Sequence, residues 1–139
     1  MIYIIAVFGL LIGSFLNVCI YRIPKKESIV LPPSHCTTCG KKIKWYDLFP
    51  VISYLLLGGK CRSCKTRISP QYPVVEAVNA LMWAAVFLRF GLNTSSVVLM
   101  LFCSALIAVA VIEYKILIIP DEILIFILLF AVIFNIIEL

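Results

Sequence analysis

Two Cys-x-x-Cys pairs carry the clearest chemistry in this sequence: Cys36-Thr-Thr-Cys39 and Cys61-Arg-Ser-Cys64, with 21 residues between them. Each short turn can aim two thiolates at one point, and two such turns complete a tetrahedral four-sulfur site. Gly40 follows the first pair directly and suits a tight knuckle. Lys41, Lys42, Lys65 and Arg67 place cations near the sulfurs, which favours the thiolate form. The same residues are compatible with two disulfides or with thiol redox chemistry. The paired ribbon spacing, together with the reducing compartment argued below, favours structural zinc. Such a site has no open position, so the metal would hold the segment together and not catalyse. His35 adjoins Cys36, but with four thiols available it reads as a neighbour. Cys19 and Cys103 lie in apolar stretches and read as small packed residues.

The second group is carboxylates: Glu76, Glu113, Asp121 and Glu122, each at the end of an apolar stretch. Charged groups at the margin of a membrane usually face protein or a water-filled cavity, and they are candidate site residues. For Glu122 an interfacial, solubilising role is the simpler reading. Two carboxylates close together sharing one proton can run aspartic-peptidase chemistry; one alone cannot. Asp121 and Glu76 are the candidate partners for Glu113 within the chain.

The elements that must position these groups follow from composition. Of 139 residues, 63% are hydrophobic and 14% charged, against roughly a quarter charged in an ordinary soluble domain. Mean hydropathy is +1.12. This excludes a soluble globular protein, a disordered tail and a nucleic-acid-binding domain. Four apolar stretches, 1–20, 74–90, 96–112 and 123–137, predict about four transmembrane helices. Residues 1–20 have no basic start and no small-residue cleavage site, so they read as a permanent span and not a signal peptide. Nothing resembles the inverted repeats or broken helices of a transporter.

Ten of the twelve Lys and Arg lie between Arg22 and Arg67. The sequence therefore divides into a first helix (1–21), a polar zinc-binding insert (22–72) and further helices (73–139). The basic bias places the insert in the cytoplasm and both termini outside. Within the insert, residues 45–59 are unusually apolar. They read either as the small core of the zinc domain or, preferred here, as an amphipathic segment lying on the membrane.

The order of motifs resembles the type IV prepilin leader peptidase family. It comprises Gly13-Ser-Phe-Leu-Asn-Val-Cys-Ile-Tyr-Arg-Ile-Pro24, then Cys36-x-x-Cys39-Gly and Trp45-Tyr-Asp47-x-x-Pro50-Val. Gly59-x-Cys61-x-x-Cys64 and Ile68-Ser-Pro70-x-Tyr72-Pro73-x-Val75-Glu76 complete it. The resemblance covers nearly the whole chain. It implies an all-α multi-pass protein of the bacterial inner membrane with a small zinc-ribbon-like insert. The implied activities are leader cleavage from type IV prepilins or type II secretion pseudopilins, and N-methylation of the new N-terminus with S-adenosylmethionine. No glycine fingerprint marks a methyl-donor pocket. The family's first catalytic aspartate falls on Glu113, eight residues before Asp121 of the Pro120-Asp121 pair. Its second, in a Gly-x-Gly-Asp motif, has no counterpart in these 139 residues. The expectation is an N-terminal part of such an enzyme, inactive by itself. The competing expectation is a non-enzymatic membrane zinc module that docks substrate or pilus and secretion assembly partners. Membrane lipid is an expected partner and nucleic acid is not.

Overall fold

The computed structural model describes residues 1–31 and 33–139. Four long helices form a bundle: α1 (Ile2–Arg22), α3 (Gln71–Phe90), α4 (Thr94–Ile116) and α5 (Asp121–Glu138). Between α1 and α3 lies the insert, which holds a 3-10 turn (Trp45–Asp47) and a short helix, α2 (Ile52–Leu56). Helix α1 lies most extensively against α3; α4 packs on both, and α5 packs on α4. The described residues contain no strand, only two isolated β-bridges in the insert. The expected all-α membrane architecture with a small insert is what the chain adopts.

Local chemistry sets the helix ends. Asn93 caps α4 reciprocally: its side chain accepts from the Ser96 N–H at 2.8 Å, and the Asn93 N–H donates to Ser96 Oγ at 3.0 Å. Gly91, at φ 72°, ends α3 in a conformation that glycine adopts without strain. Leu117, at φ 57°, ends α4, and Pro120 immediately precedes α5.

Two glycines decide how closely α1 and α3 approach. A methyl group added at Gly9 would stand 2.7 Å from Ala80 Cα, and one added at Gly13 would stand 2.7 Å from Glu76 Cα. The Gly-x-x-x-Gly spacing puts both bare positions on one helix face, so the backbones meet. Around this seam Leu16, Ile20, Val75, Ala108, Ile112 and Ile123 form one buried cluster; Ile5, Trp83 and Met100 form another. Buried polar groups are paired across helices. Asn79 Nδ2 donates to the Gly9 carbonyl at 2.7 Å, Ser104 Oγ to Asn79 Oδ1 at 2.7 Å, and Trp83 Nε1 to Ser104 Oγ at 2.9 Å. Such pairing is what a bilayer interior requires of polar side chains.

Helices α1, α3 and α4 are long and apolar enough to cross a membrane. At 1.5 Å per residue they run about 30–35 Å, the thickness of a hydrocarbon core. The fourth stretch differs. Helix α5 carries three charged side chains, Asp121, Glu122 and Glu138, in its 18 residues, whereas α1, α3 and α4 each offer an 18-residue stretch with no more than two. Three of the four expected spans thus meet both the length and the charge requirement within the described helices.

Candidate metal centre and the acidic residues

The insert is built from two knuckles with the same hydrogen-bond pattern at an offset of 25 residues. In the first, the Cys36 N–H donates to the Lys41 carbonyl, the Gly40 N–H to that of Cys36, and the Ile43 N–H to that of Ser34. In the second, the Cys61 N–H donates to the Thr66 carbonyl, the Lys65 N–H to that of Cys61, and the Ile68 N–H to that of Gly59. The bridges repeat the offset too: His35 with Lys42, and Lys60 with Arg67. Each knuckle needs a left-handed residue just after its second cysteine. Gly40 supplies it at φ 70°; Lys65 supplies it at φ 60° against its preference.

This folding brings Cys36, Cys39, Cys61 and Cys64 together, with their four Sγ atoms all within 4.8 Å of one another. Cys36 Sγ and Cys64 Sγ are 3.6 Å apart, and all four are free thiols. A tetrahedral zinc with Zn–S of about 2.3 Å requires S···S of about 3.8 Å, so the four thiols fit a metal such as zinc. Their electrostatics differ. The Thr66 hydroxyl, 3.1 Å from Cys64 Sγ, and the Thr66 backbone N–H hold the Cys64 thiol down to about 6. The Cys39 and Thr38 backbone N–H groups lower that of Cys36. At Cys39 the Lys41 N–H pulls downward, but desolvation and the neighbouring sulfurs outweigh it and push the thiol up to about 11. His35 stands outside this four-thiol cluster, its Nδ1 3.1 Å from the Pro33 carbonyl.

An ion pair braces the second knuckle. Arg62 Nε donates to Asp47 Oδ2 at 2.9 Å and its terminal nitrogen to Oδ1 at 2.8 Å, a two-pronged contact that lowers the Asp47 carboxyl. This fastens the knuckle to the 3-10 turn.

The carboxylates are distributed differently. Glu76 is buried on α3, its Oε2 accepting from the Val51 N–H at 2.7 Å, with the Ser14 and Asn17 side chains beside it. Asn17 Nδ2 also donates to the Tyr72 carbonyl at 3.0 Å, which ties α1 to the first turn of α3. Glu113 is exposed in the last turn of α4. Asp121 and Glu122 are exposed in the first turn of α5, where the helix dipole favours negative charge. Among the described residues no hydrogen bond joins Glu113 to Asp121 or Glu76.

Three features escaped the sequence reading. Glu76 holds a backbone amide of the insert. Lys65 takes the place of a knuckle glycine. Gly9 and Gly13 seat α3. The last two left a trace, in the Gly-x-x-x-Gly spacing and in the 25-residue repeat.

These features define a helical membrane protein whose first two spans bracket a four-thiol insert. The chain belongs to the family of the bacterial peptidase A24 N-terminal domain, whose model matches residues 7–90. It is 42% identical over 130 residues to the prepilin leader peptidase/N-methyltransferase of Bacillus subtilis (strain 168), covering 94% of this chain and 52% of that protein. It is 37% identical over 139 residues to the protein of the same name from Pseudomonas putida, covering 84% of this chain and 48% of the relative. It is also 37% identical over 123 residues to the type 4 prepilin-like proteins leader peptide-processing enzyme of Escherichia coli O78:H11, covering 76% and 46%. The chain spans about half the length of the curated relatives it matches. No solved structure matches it.

Proposed function

We propose that this chain works in a prepilin leader peptidase/N-methyltransferase of the bacterial inner membrane. The family match across the first two spans and the insert carries this reading. The substrates are type IV prepilins or type II secretion pseudopilins. Their leaders are cleaved at the cytoplasmic face, and the new N-terminus is methylated from S-adenosylmethionine. Residues 22–72 face the cytoplasm with the N-terminus outside, because ten basic residues crowd that one segment, and the C-terminus is outside as well when the 123–137 stretch with its flanks makes the fourth crossing. Zinc on Cys36, Cys39, Cys61 and Cys64 is structural.

In this reading Glu113 stands at the first catalytic carboxylate position. One carboxylate activates water as base while the other donates to the scissile carbonyl. The partner is Asp121, Glu76 or a residue outside these 139, and the third is favoured by the absence of a Gly-x-Gly-Asp motif. The 139 residues alone are then inactive. A glutamate at this position is one methylene longer than aspartate, and a displacement of about 1 Å can cost about a hundredfold in rate.

That no hydrogen bond joins Glu113 to Asp121 or Glu76 among the described residues favours a second reading, a non-enzymatic zinc module that docks substrate or assembly partners. The test is leader removal from a purified prepilin in vesicles. The chain alone leaves the prepilin intact. A fusion to the C-terminal half of the Bacillus subtilis relative cleaves it, gains from Glu113→Asp and fails with Glu113→Ala. Cleavage undiminished by Glu113→Ala would remove Glu113 from the mechanism.

A further inference from the structure

The stretch from Trp45 to Leu56 exposes an apolar surface that no other described residue covers. Trp45 is 75% exposed, Leu48 42%, Phe49 52%, Ile52 52%, Leu55 69% and Leu56 82%. Ile52, Leu55 and Leu56 follow the i, i+3, i+4 spacing and share one face of α2, while Ser53 turns inward and donates to the Tyr46 carbonyl at 2.8 Å. In an aqueous loop such a patch is a liability.

The anchoring of the segment says what covers it. Val51, which opens α2, gives its N–H to Glu76, five residues inside α3. Glu76 in turn abuts Gly13, nine residues before the end of α1. At 1.5 Å per residue these positions lie roughly 7 and 13 Å inside the helix ends. The Glu76 side chain reaches from there to Val51, which ties the start of α2 to the insert-side turns of both spans. Two features of Val51 belong to that setting. Its φ of 59° and ψ of −51°, with the Ile52 N–H bonded to the Pro50 carbonyl, make a positive-φ γ-turn, costly for a β-branched residue. Its own N–H, which the γ-turn leaves unused, is satisfied by Glu76. Two exposed cations, Lys44 and Arg62, stand beside the aromatic start of the patch. Arg62 stands 5.3 Å and Lys44 5.6 Å from the Tyr46 ring. An apolar face flanked by cations and carrying Trp and Tyr is complementary to the acyl and anionic headgroup boundary.

We propose that residues 45–57 form a wedge sunk into the phospholipid of the insert-side leaflet, so that the metal knuckles rest on the membrane and do not hang free. Trp45 reports on this directly. The whole chain is reconstituted in phosphatidylglycerol-containing vesicles whose lipids carry bromine near the headgroup or near the chain end. Trp83 contributes equally to wild type and to Trp45→Phe, so the difference isolates Trp45, an exposed position where Phe is tolerated. The Trp45 emission is blue-shifted and loses more intensity to headgroup-proximal bromine than to chain-end bromine. It is largely shielded from aqueous iodide. Emission that iodide quenches and bromine leaves alone overturns the proposal. Shielding from both, accompanied by crosslinked dimers, overturns it as well, since a second copy would then be the cover.

Discussion

The Val51 N–H and the Glu76 carboxylate, 2.7 Å apart and 25 residues distant in sequence, join the insert to the membrane bundle. An acceptor in this place holds the strained turn that opens α2. Glu76→Leu leaves a buried amide unpaired, a loss of about 1–3 kcal/mol, whereas Glu76→Gln keeps an oxygen there and loses less. Amide hydrogen exchange at Val51 should quicken in the Leu variant and change little in the Gln variant. Equal exchange in all three proteins would show that the contact is idle.

Metal binding should track the thiols. One zinc per chain is expected, and replacing any of Cys36, Cys39, Cys61 or Cys64 by Ser should release it and loosen the insert, because the metal is part of the folding energy there. Above pH about 6 Cys64 is already a thiolate, so zinc displaces no proton from it; below that, one more proton must leave. Chelator competition across pH should therefore show affinity falling more steeply, by one proton, as pH drops through about 6. An unchanged slope would mean that Thr66 does not stabilise the thiolate.

The repeated knuckles make a matched pair of substitutions informative. Gly40→Ala forces a side chain to φ 70° and should cost about 1 kcal/mol. Lys65→Gly relieves φ 60° but frees the unfolded chain, so a gain of roughly a few tenths of a kcal/mol is expected. The rate of zinc loss to a chelator reads both: faster for the first, unchanged or slower for the second. The reverse order would break the equivalence of the two turns.

Helix α1 tolerates nothing larger than glycine where it meets α3. Gly9→Val would drive a side chain into the Ala80 backbone, and Gly13→Val into that of Glu76. Each should lower the midpoint of thermal unfolding in detergent, by an amount corresponding to about 1–3 kcal/mol. If Gly9→Val unfolds no earlier than wild type, the close seam is not what holds the pair.

The parts legible in the sequence are those written in local patterns. Four thiols at knuckle spacing specify their own convergence, and long apolar runs specify helices. Gly40 was readable because glycine advertises a positive φ; Lys65 adopts the same φ with no sign in its residue type. Val51 is harder still, since a β-branched residue is the last expected in that conformation and only a distant carboxylate accounts for the geometry. Glu76 could be placed near a span end but not assigned its partner, which arrives from a turn 25 residues earlier. By composition, residues 45–59 fit a small core or, preferably, a membrane surface. The inward Ser53 and outward Leu55 and Leu56 show that the segment has two faces, which composition averages away.

The seam between α1 and α3 has a bearing on the insert that packing alone does not express. It clamps both ends of the 23–70 segment, so the segment behaves as a closed ring whose ends never drift apart. Closing a flexible ring of that length costs about 3 kcal/mol of chain entropy. The bundle meets that cost before any metal arrives. A peptide cut out at residues 23 and 70 would carry the same four sulfurs, yet it would have to close the ring itself and should hold zinc more weakly than the anchored chain.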